Sequence, residues 1–388
     1  MPPAAAPCFA ITAPGLERLA AAELAALGIA ADAVEPGGVH FHGGREALMR
    51  ANLHVRTASR IVMRLGEFEA RGFPELERHA RRQPWGDFVP NGRAVRLRVS
   101  CRKSKLYHSD AVAERVASAI ARAAGGVSAT AAGSGDEESE GEAAQLVMVR
   151  LLHDRCTISV DSSGALLHRR GYRLATAKAP MRETLAAAML LASEWRADAP
   201  LLDPMCGAGT IAIEGALLAR RIAPGLGRAF AFEAWPGFER TAWERLRDAA
   251  RERELARAPA PIQASDRDAG AVAAAEGNAE RAGVRADIEI TRRALSAVAP
   301  PSELGWLVTN PPYGLRVGER RALRDLYAQL GNVARRSCAG WRVAMLSAHA
   351  ELERQTGIAF STAVRTRNGG VAVRIVTGEV PAPAGVRG

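Results

Sequence analysis

From Phe9 onward the apolar positions switch between two periods. FAIT and VHFHG repeat every second residue, as half-buried strands do, while Leu16, Leu19, Leu24 and Leu27 between them fall on one helical face. The same reading predicts a helix near Arg45 to Leu53, a strand RIVMRLGEF, a helix PELERHARRQ, a strand AVRLRVSC and a helix from Ser109 to Ala124. Two further strands, QLVMVRLL and CTISVDSS, meet in a hairpin at His153, Asp154 and Arg155. Short mixed elements of this kind predict α+β modules of ferredoxin-like type, read as residues 1–70 and 71–165.

Residues 125–144, GGVSATAAGSGDEESEGEAA, lack aromatics and are expected to form a mobile surface loop. Its acids (Asp136, Glu137, Glu138, Glu140 and Glu142) read as solvated, because nothing there fixes a metal geometry. Residues 166–181 read as a linker. Beyond it, residues 182–380 alternate long helices with buried strands: a helix from Arg182 to Trp195, APLLD, a helix from Gly209 to Arg220, PIQAS, a helix from Asp268 to Arg281, ADIEI, GWLVT, a helix from Glu319 to Arg336, WRVAMLS and VAVRIVT. That alternation predicts an α/β, doubly wound, mainly parallel sheet.

Hydrophobic residues make up 48% of the 388 and charged ones 24%, which suits a folded globular chain and excludes a disordered one. The net charge of +10 favours an anionic partner such as nucleic acid. Only three of the 52 basic residues are lysine (Lys103, Lys105 and Lys178), so the location of the charge says more than its total. The five cysteines are scattered, without CxxC spacing, which predicts neither disulfides nor a zinc site and suits a reducing cytoplasm. No basic segment precedes the apolar start and no apolar run reaches membrane length, so neither export nor membrane insertion is expected.

Two segments carry chemistry. In LLDPMCGAGT (Leu201 to Thr210) a buried strand ends at Asp203 and a turn of small residues opens a helix, an arrangement that lets a ligand approach the backbone. A plain tight turn would use the same residues, but the GxGxxG of dinucleotide binding is absent, since Ala212 follows Gly207 and Gly209. The second segment, Asn310-Pro311-Pro312-Tyr313, directly follows the apolar strand GWLVT. A ring-conjugated amine is a weak nucleophile because its lone pair is delocalised. The Asn310 side-chain oxygen and the Pro311 carbonyl could accept its two N–H groups, Pro311 and Pro312 would stiffen the loop, and Tyr313 offers a stacking face.

Together, DPMCGAGT and NPPYG resemble the class I S-adenosylmethionine-dependent methyltransferases that act on amines, with their Rossmann-like domain. His168 to Leu190 resembles the segment joining a THUMP domain to the methyltransferase domain in RNA guanine-N2 methyltransferases. FAITAPGLERLAAAEL, GGVHF and LRVSCRKSKLYHSDAV resemble their ferredoxin-like and THUMP modules, the latter falling in residues 71–165. The likeness covers nearly the whole chain and extends to the guanine-N2 half of bifunctional bacterial large-subunit (23S) ribosomal RNA methyltransferases; their second half has no counterpart here. The resemblance implies that Asp203, Pro204, Cys206, Gly207, Gly209 and Thr210 surround the methionine part of S-adenosylmethionine, that Asp266 takes the ribose hydroxyls, and that Asn310, Pro311, Pro312 and Tyr313 hold the target amine. One departure stands out: Thr291, Arg292, Arg293 and Ala294 occupy the place where the family carries an acid for the adenine amine.

Six basic residues (Arg93, Arg96, Arg98, Arg102, Lys103 and Lys105) crowd the stretch from Phe88 to Ser109, which contains no acid; the first to follow is Asp110. Arg96, Arg98, Arg102, Lys103, Lys105 and Tyr107 are therefore the expected RNA contacts, with Arg96 and Arg98 on one strand face. The expectation is a cytoplasmic enzyme that methylates a guanine N2 in ribosomal RNA, without a metal or a membrane. Transfer RNA as the substrate is one alternative, and a non-catalytic RNA-binding or assembly factor another.

Overall fold

The computed structural model describes residues 6–90, 92–124, 128–131, 144–173, 181–314 and 320–381. It divides into two units: Met1–Thr12, Ala20–Leu167 and Arg228–Arg247 form the first; Ala13–Leu19, His168–Gly227 and Asp248–Gly388 form the second.

The first unit contains β1 (Ala6–Thr12), α1 (Glu17–Ala26, shared with the second unit), β2 (Ala31–Glu35), β3 (Gly38–Gly43), α2 (Arg45–His54), β4 (Ala58–Glu69), α3 (Phe73–Arg81), β5 (Val95–Arg102), α4 (Ser109–Ala123), β6 (Ala129–Ala131), β7 (Gln145–Leu152) and β8 (Arg155–Asp161). They build one eight-stranded sheet in the order β2-β3-β1-β4-β8-β7-β5-β6. The sheet runs across the position 70 at which the sequence pattern divides, because the twelve-residue β4 pairs with β1 on one side and β8 on the other. The β7–β8 hairpin turns at His153 and Asp154, both with positive φ (52° and 64°), which matches the right-handed strand twist. At the end of β8, Asp161 meets the buried Arg60 guanidinium of β4 at 2.6 Å and also accepts from the Ser163 and Gly164 amides. The two amides meet lone pairs of the buried carboxylate that the arginine leaves over, which lowers the cost of burying it.

Arg228–Arg247 lies far along the sequence from this sheet yet folds with it. Arg228 donates to the carbonyls of Leu166, Ser163 and Ala165, and Trp235 Nε1 donates to Gln145 Oε1 at 2.8 Å while its ring meets Phe88 edge-on.

The second unit contains α5 (Glu183–Ala192), β9 (Leu201–Asp203), α6 (Thr210–Ala219), part of α7 (Arg240–Glu252), β10 (Ile262–Asp266), α8 (Ala269–Arg281), β11 (Ile288–Arg292), β12 (Trp306–Thr309), α9 (Arg320–Ser337), β13 (Arg342–Ser347), α10 (Ala350–Gln355), β14 (Phe360–Asn368) and β15 (Val371–Glu379). The sheet order is β11-β10-β9-β12-β13-β15-β14, parallel from β11 to β13 and closed by an antiparallel hairpin. This is the α/β, doubly wound fold expected of a class I methyltransferase. Successive β9 residues feed opposite cores: Leu201 joins the cluster with α5, α6 and α8, and Leu202 joins that with α9 and α10. Helices α5 and α6 are buried almost all round, which explains their run of Ala, Leu and Ile without a polar face. The strand order reverses between β9 and β12, and a ligand cleft in such a sheet opens at the carboxyl ends flanking that reversal.

Candidate active site

The loops that leave β9 and β12 face each other across the reversal. Thr309, the last residue of β12, donates its hydroxyl to Asp203 Oδ1 at 2.8 Å, so the two strand ends that begin DPMCGAGT and NPPY are tied side chain to side chain. Asp203 also accepts from the Met205 amide at 3.3 Å. Burial, helped by the neighbouring Asp266, pushes its carboxyl up to about 7 despite those two hydrogen bonds.

The two glycines of the turn serve different ends. Gly209 caps α6 in the left-handed region (φ 81°), where a Cβ would stand 3.0 Å from Ala275 Cβ, so it permits α6 and α8 to approach. A Cβ on Gly207 (φ 51°) would meet no protein atom within 4 Å; this glycine leaves open the space on the cleft side. The Gly207 amide donates to Asp266 Oδ2 at 3.0 Å, and Asp266 Oδ1 accepts from the Asp268 amide. Asp266 thus ties the turn to the end of β10 and still has acceptor lone pairs to offer a hydroxyl.

A second tie runs through α8. Asn278, buried, donates to the Ala208 carbonyl at 3.0 Å, while Arg281 donates to Asn278 Oδ1 and, at 2.7 Å, to the Tyr172 carbonyl. The Tyr172 hydroxyl in turn reaches Glu214 of α6 at 3.1 Å. The Cys206 thiol is buried and pushed upward by desolvation and by Asp203 and Asp266, so it is held as a neutral thiol and makes no nucleophile.

These groups enclose a cleft of about 760 Å³. Of the residues expected at the site, Asp203, Pro204, Cys206, Gly207, Thr210, Asp266, Asn310, Pro311, Pro312 and Tyr313 all line it; Gly209 stands behind, beneath the helix cap. Asn310 Oδ1 is buried and has no hydrogen-bond partner among the described residues. Tyr313 is half-buried, and its hydroxyl accepts from Asn368 Nδ2 at 2.6 Å.

Several lining residues lay beyond the sequence reading: Met181, Leu295, Leu326, Gln329 and Asn368 come from separate parts of the chain. Only Asn368 carried a legible signal, the Asn-Gly-Gly of a hairpin turn. Where the family carries an acid, Arg293 and Ala294 line the cleft and the Arg293 amide donates to the Asp266 carbonyl at 2.9 Å.

In the first unit the expected RNA contacts separate into two groups. Arg96 and Arg98 share a face of β5, as alternation requires, and are half-buried. Arg102, Lys103 and Lys105 are exposed, as is Tyr107 at 68%, its ring 4.0 Å from that of His108. Asp154 of the hairpin turn holds the loop: it accepts from the Lys105 amide at 2.6 Å, and its own amide donates to Ser104 Oγ. Of residues 125–144, expected as a loop, Ala129–Ala131 instead form β6 and pair parallel to β5, while the acidic run from Asp136 to Glu142 lies outside the described residues. Among those described, no group of His, Cys, Asp and Glu is arranged to hold a metal, and no helix is long and apolar enough to cross a membrane.

Comparison with known proteins fits this geometry. A family model described as "RMKL-like, methyltransferase domain" matches residues 170–375, and one for the RlmL ferredoxin-like domain matches residues 7–62. A Bacillus subtilis protein named "Putative RNA methyltransferase" is 37% identical over 348 residues, 89% of each chain. The ribosomal RNA large subunit methyltransferase K/L of Methylococcus capsulatus is 38% identical over 369 residues, covering 90% of this chain but 48% of that one, so the chain spans about half the length of this relative. Among solved structures, a Listeria monocytogenes protein titled a predicted N6-adenine-specific DNA methylase superposes with a TM-score of 0.87 at 32% identity, covering 97% of both chains. A "putative methyltransferase complexed with SAH" gives 0.86 at 28% identity, over 99% of this chain and all of that one. With its tied strand ends, glycine turn and NPPY loop around one cleft, the chain belongs to the RMKL-like methyltransferase family.

Proposed function

We propose that this protein transfers a methyl group from S-adenosylmethionine to the exocyclic N2 amine of a guanine in RNA, with large-subunit (23S) ribosomal RNA as the substrate. The observation that carries the reading is the buried acceptor Asn310 Oδ1, left without a partner beside the glycine turn. A buried polar atom in that state calls for a partner, and an N–H donor entering the cleft would supply it. The cleft residues suit the donor: Gly207 leaves open space, Asp266 keeps spare acceptor capacity, and Met181 and Leu295 offer apolar surface. The ribosomal substrate is supported by relatives named for the large subunit, and RNA also by the exposed basic loop from Arg102 to Tyr107.

S-adenosylmethionine supplies an electrophilic methyl on a sulfonium. Asn310 Oδ1 and the Pro311 carbonyl accept the amine's hydrogens, which draws its nitrogen toward tetrahedral geometry and aims the lone pair at the methyl carbon. Tyr313 stacks on the base, which must leave any helix it is paired in. Asn310 Oδ1 would stabilise the positive charge that the nitrogen carries once the bound donor has given up its methyl and left as a neutral thioether, until its proton passes to solvent at the mouth of the cleft. Catalysis rests on orientation and on the exclusion of water around the amine. Asn310→Ala is expected to lower the methylation rate by about a thousandfold, while calorimetry with S-adenosylmethionine and gel-shift with RNA stay near wild type. A variant with full activity would overturn the assignment, and a wild-type protein that binds RNA but not S-adenosylmethionine would point to the non-catalytic factor.

A further inference from the structure

The β14–β15 hairpin has a place at the cleft that the reaction as described does not use. Strand β15 is antiparallel to both β13 and β14, so β14 runs parallel to β13 and its end emerges at the carboxyl edge of the sheet, where the cleft opens. Asn368, its last residue, lines the cleft and holds the Tyr313 hydroxyl at 2.6 Å. The turn that follows, Gly369 and Gly370, has positive φ at both residues (52° and 86°), and Val371 beyond it is 48% exposed.

Alternation along β14 sorts its side chains. Val364 and Thr366 are buried, whereas Arg365 and Arg367 are exposed on the opposite face. Among the described residues neither arginine is paired with an acid; Arg367 donates only to the Gly370 carbonyl of its own turn, while the nearby Arg374 is held by Glu353. Two cations about 7 Å apart along a strand suit successive phosphates of an extended nucleotide chain. Charges on an edge strand also discourage edge-to-edge pairing, and that role would need no particular end of the strand. Here the charges lead to the turn whose asparagine fixes the base-stacking tyrosine.

We propose that the β14–β15 hairpin is a second RNA-contact element, in which Arg365 and Arg367 take the phosphates flanking the target nucleotide while Asn368 positions Tyr313. The inference rests on the RNA-methylating reading above. Its occupant is the substrate strand, since a phosphate chain threaded past a flipped base must leave the cleft on both sides.

The test is steady-state methylation of ribosomal RNA by the full chain over a range of salt concentrations. The Arg365→Ala/Arg367→Ala protein should show a KM for RNA raised roughly tenfold, and a log KM against log salt slope shallower by about 1.4, from 0.7 per lost single-strand phosphate contact. S-adenosylmethionine affinity should not move, and Arg365→Lys/Arg367→Lys should recover most of the slope, which a purely structural role would not predict. Wild-type KM and slope in the alanine variant would overturn the proposal and leave the arginines as edge protection. A wild-type protein that methylates no RNA, or an active Asn310→Ala, would instead overturn the reading on which it rests.

Discussion

The cleft at the β9–β12 reversal and the basic loop after β5 were both marked by sequence as places of function, and the fold treats them differently. In the cleft, residues 59 to 106 positions apart are fastened together: Thr309 to Asp203, Asp266 to Gly207, Asn278 to Ala208. In the basic stretch the charges part company. Arg96 and Arg98 lie half-buried along β5, while Arg102 at its end and Lys103 and Lys105 on the following loop, pinned by Asp154, reach solvent. A motif whose members set backbone geometry specifies its own arrangement, whereas a run of like charges does not say which of its members face a partner.

Six variants sharpen that contrast. Tyr313→Ala removes the stacking face and should lower kcat/KM by about a hundredfold, since base–aromatic stacking contributes 1–3 kcal/mol; Tyr313→Phe, which keeps the ring but loses the Asn368 tie, should show a smaller loss. The triple variant Arg102→Ala/Lys103→Ala/Lys105→Ala should weaken RNA binding roughly tenfold and flatten its salt dependence by about 2. The same measurement on Arg96→Ala/Arg98→Ala should give a smaller change in slope, and an equal change would erase the distinction between the two groups. Asn278→Ala frees the Ala208 carbonyl and should weaken S-adenosylmethionine binding about fivefold. Isosteric Asn278→Asp, which cannot donate to that carbonyl, should fail to rescue it in the same calorimetric titration.

The smallest effect is on stability. The Asp203 carboxyl rises from 3.8 to about 7 on folding, so its contribution is fully present below pH 3.8 and is lost as pH climbs to about 7. Asp203→Asn keeps an acceptor for Thr309 and Met205 without the charge. Its Tm should therefore exceed that of wild type by several degrees at pH 8, with the gap closing toward pH 4. A gap that widened on acidification would contradict the assigned direction.

Legibility followed local determinacy. The parallel strands of the second unit were readable as apolar runs such as GWLVT and WRVAMLS, because strands buried on both faces carry no polar alternation to confuse them. β2 escaped because four of its five residues are exposed. β14 escaped because its edge position leaves Ser361, Thr362, Arg365 and Arg367 outward, and with it went Asn368 and its bond to Tyr313. The glycine turn and NPPY were legible as motifs, but the buried ties that aim them were not. Asn278 and Tyr172 look in sequence like ordinary helix and loop residues, and only folding brings them to the Ala208 carbonyl and Glu214. Nor did the charge run reveal Asp154, whose hold on the Lys105 amide spans 49 positions.

The central claim is that this cleft methylates the N2 amine of guanine in RNA. Its most direct test is to incubate the purified protein and methyl-labelled S-adenosylmethionine with unmodified 23S ribosomal RNA and, separately, transfer RNA, then digest each and identify the labelled nucleoside. The account predicts label in N2-methylguanosine from the ribosomal RNA; label only in transfer RNA would move the substrate, and label in N6-methyladenosine, or in neither RNA, would contradict the claim.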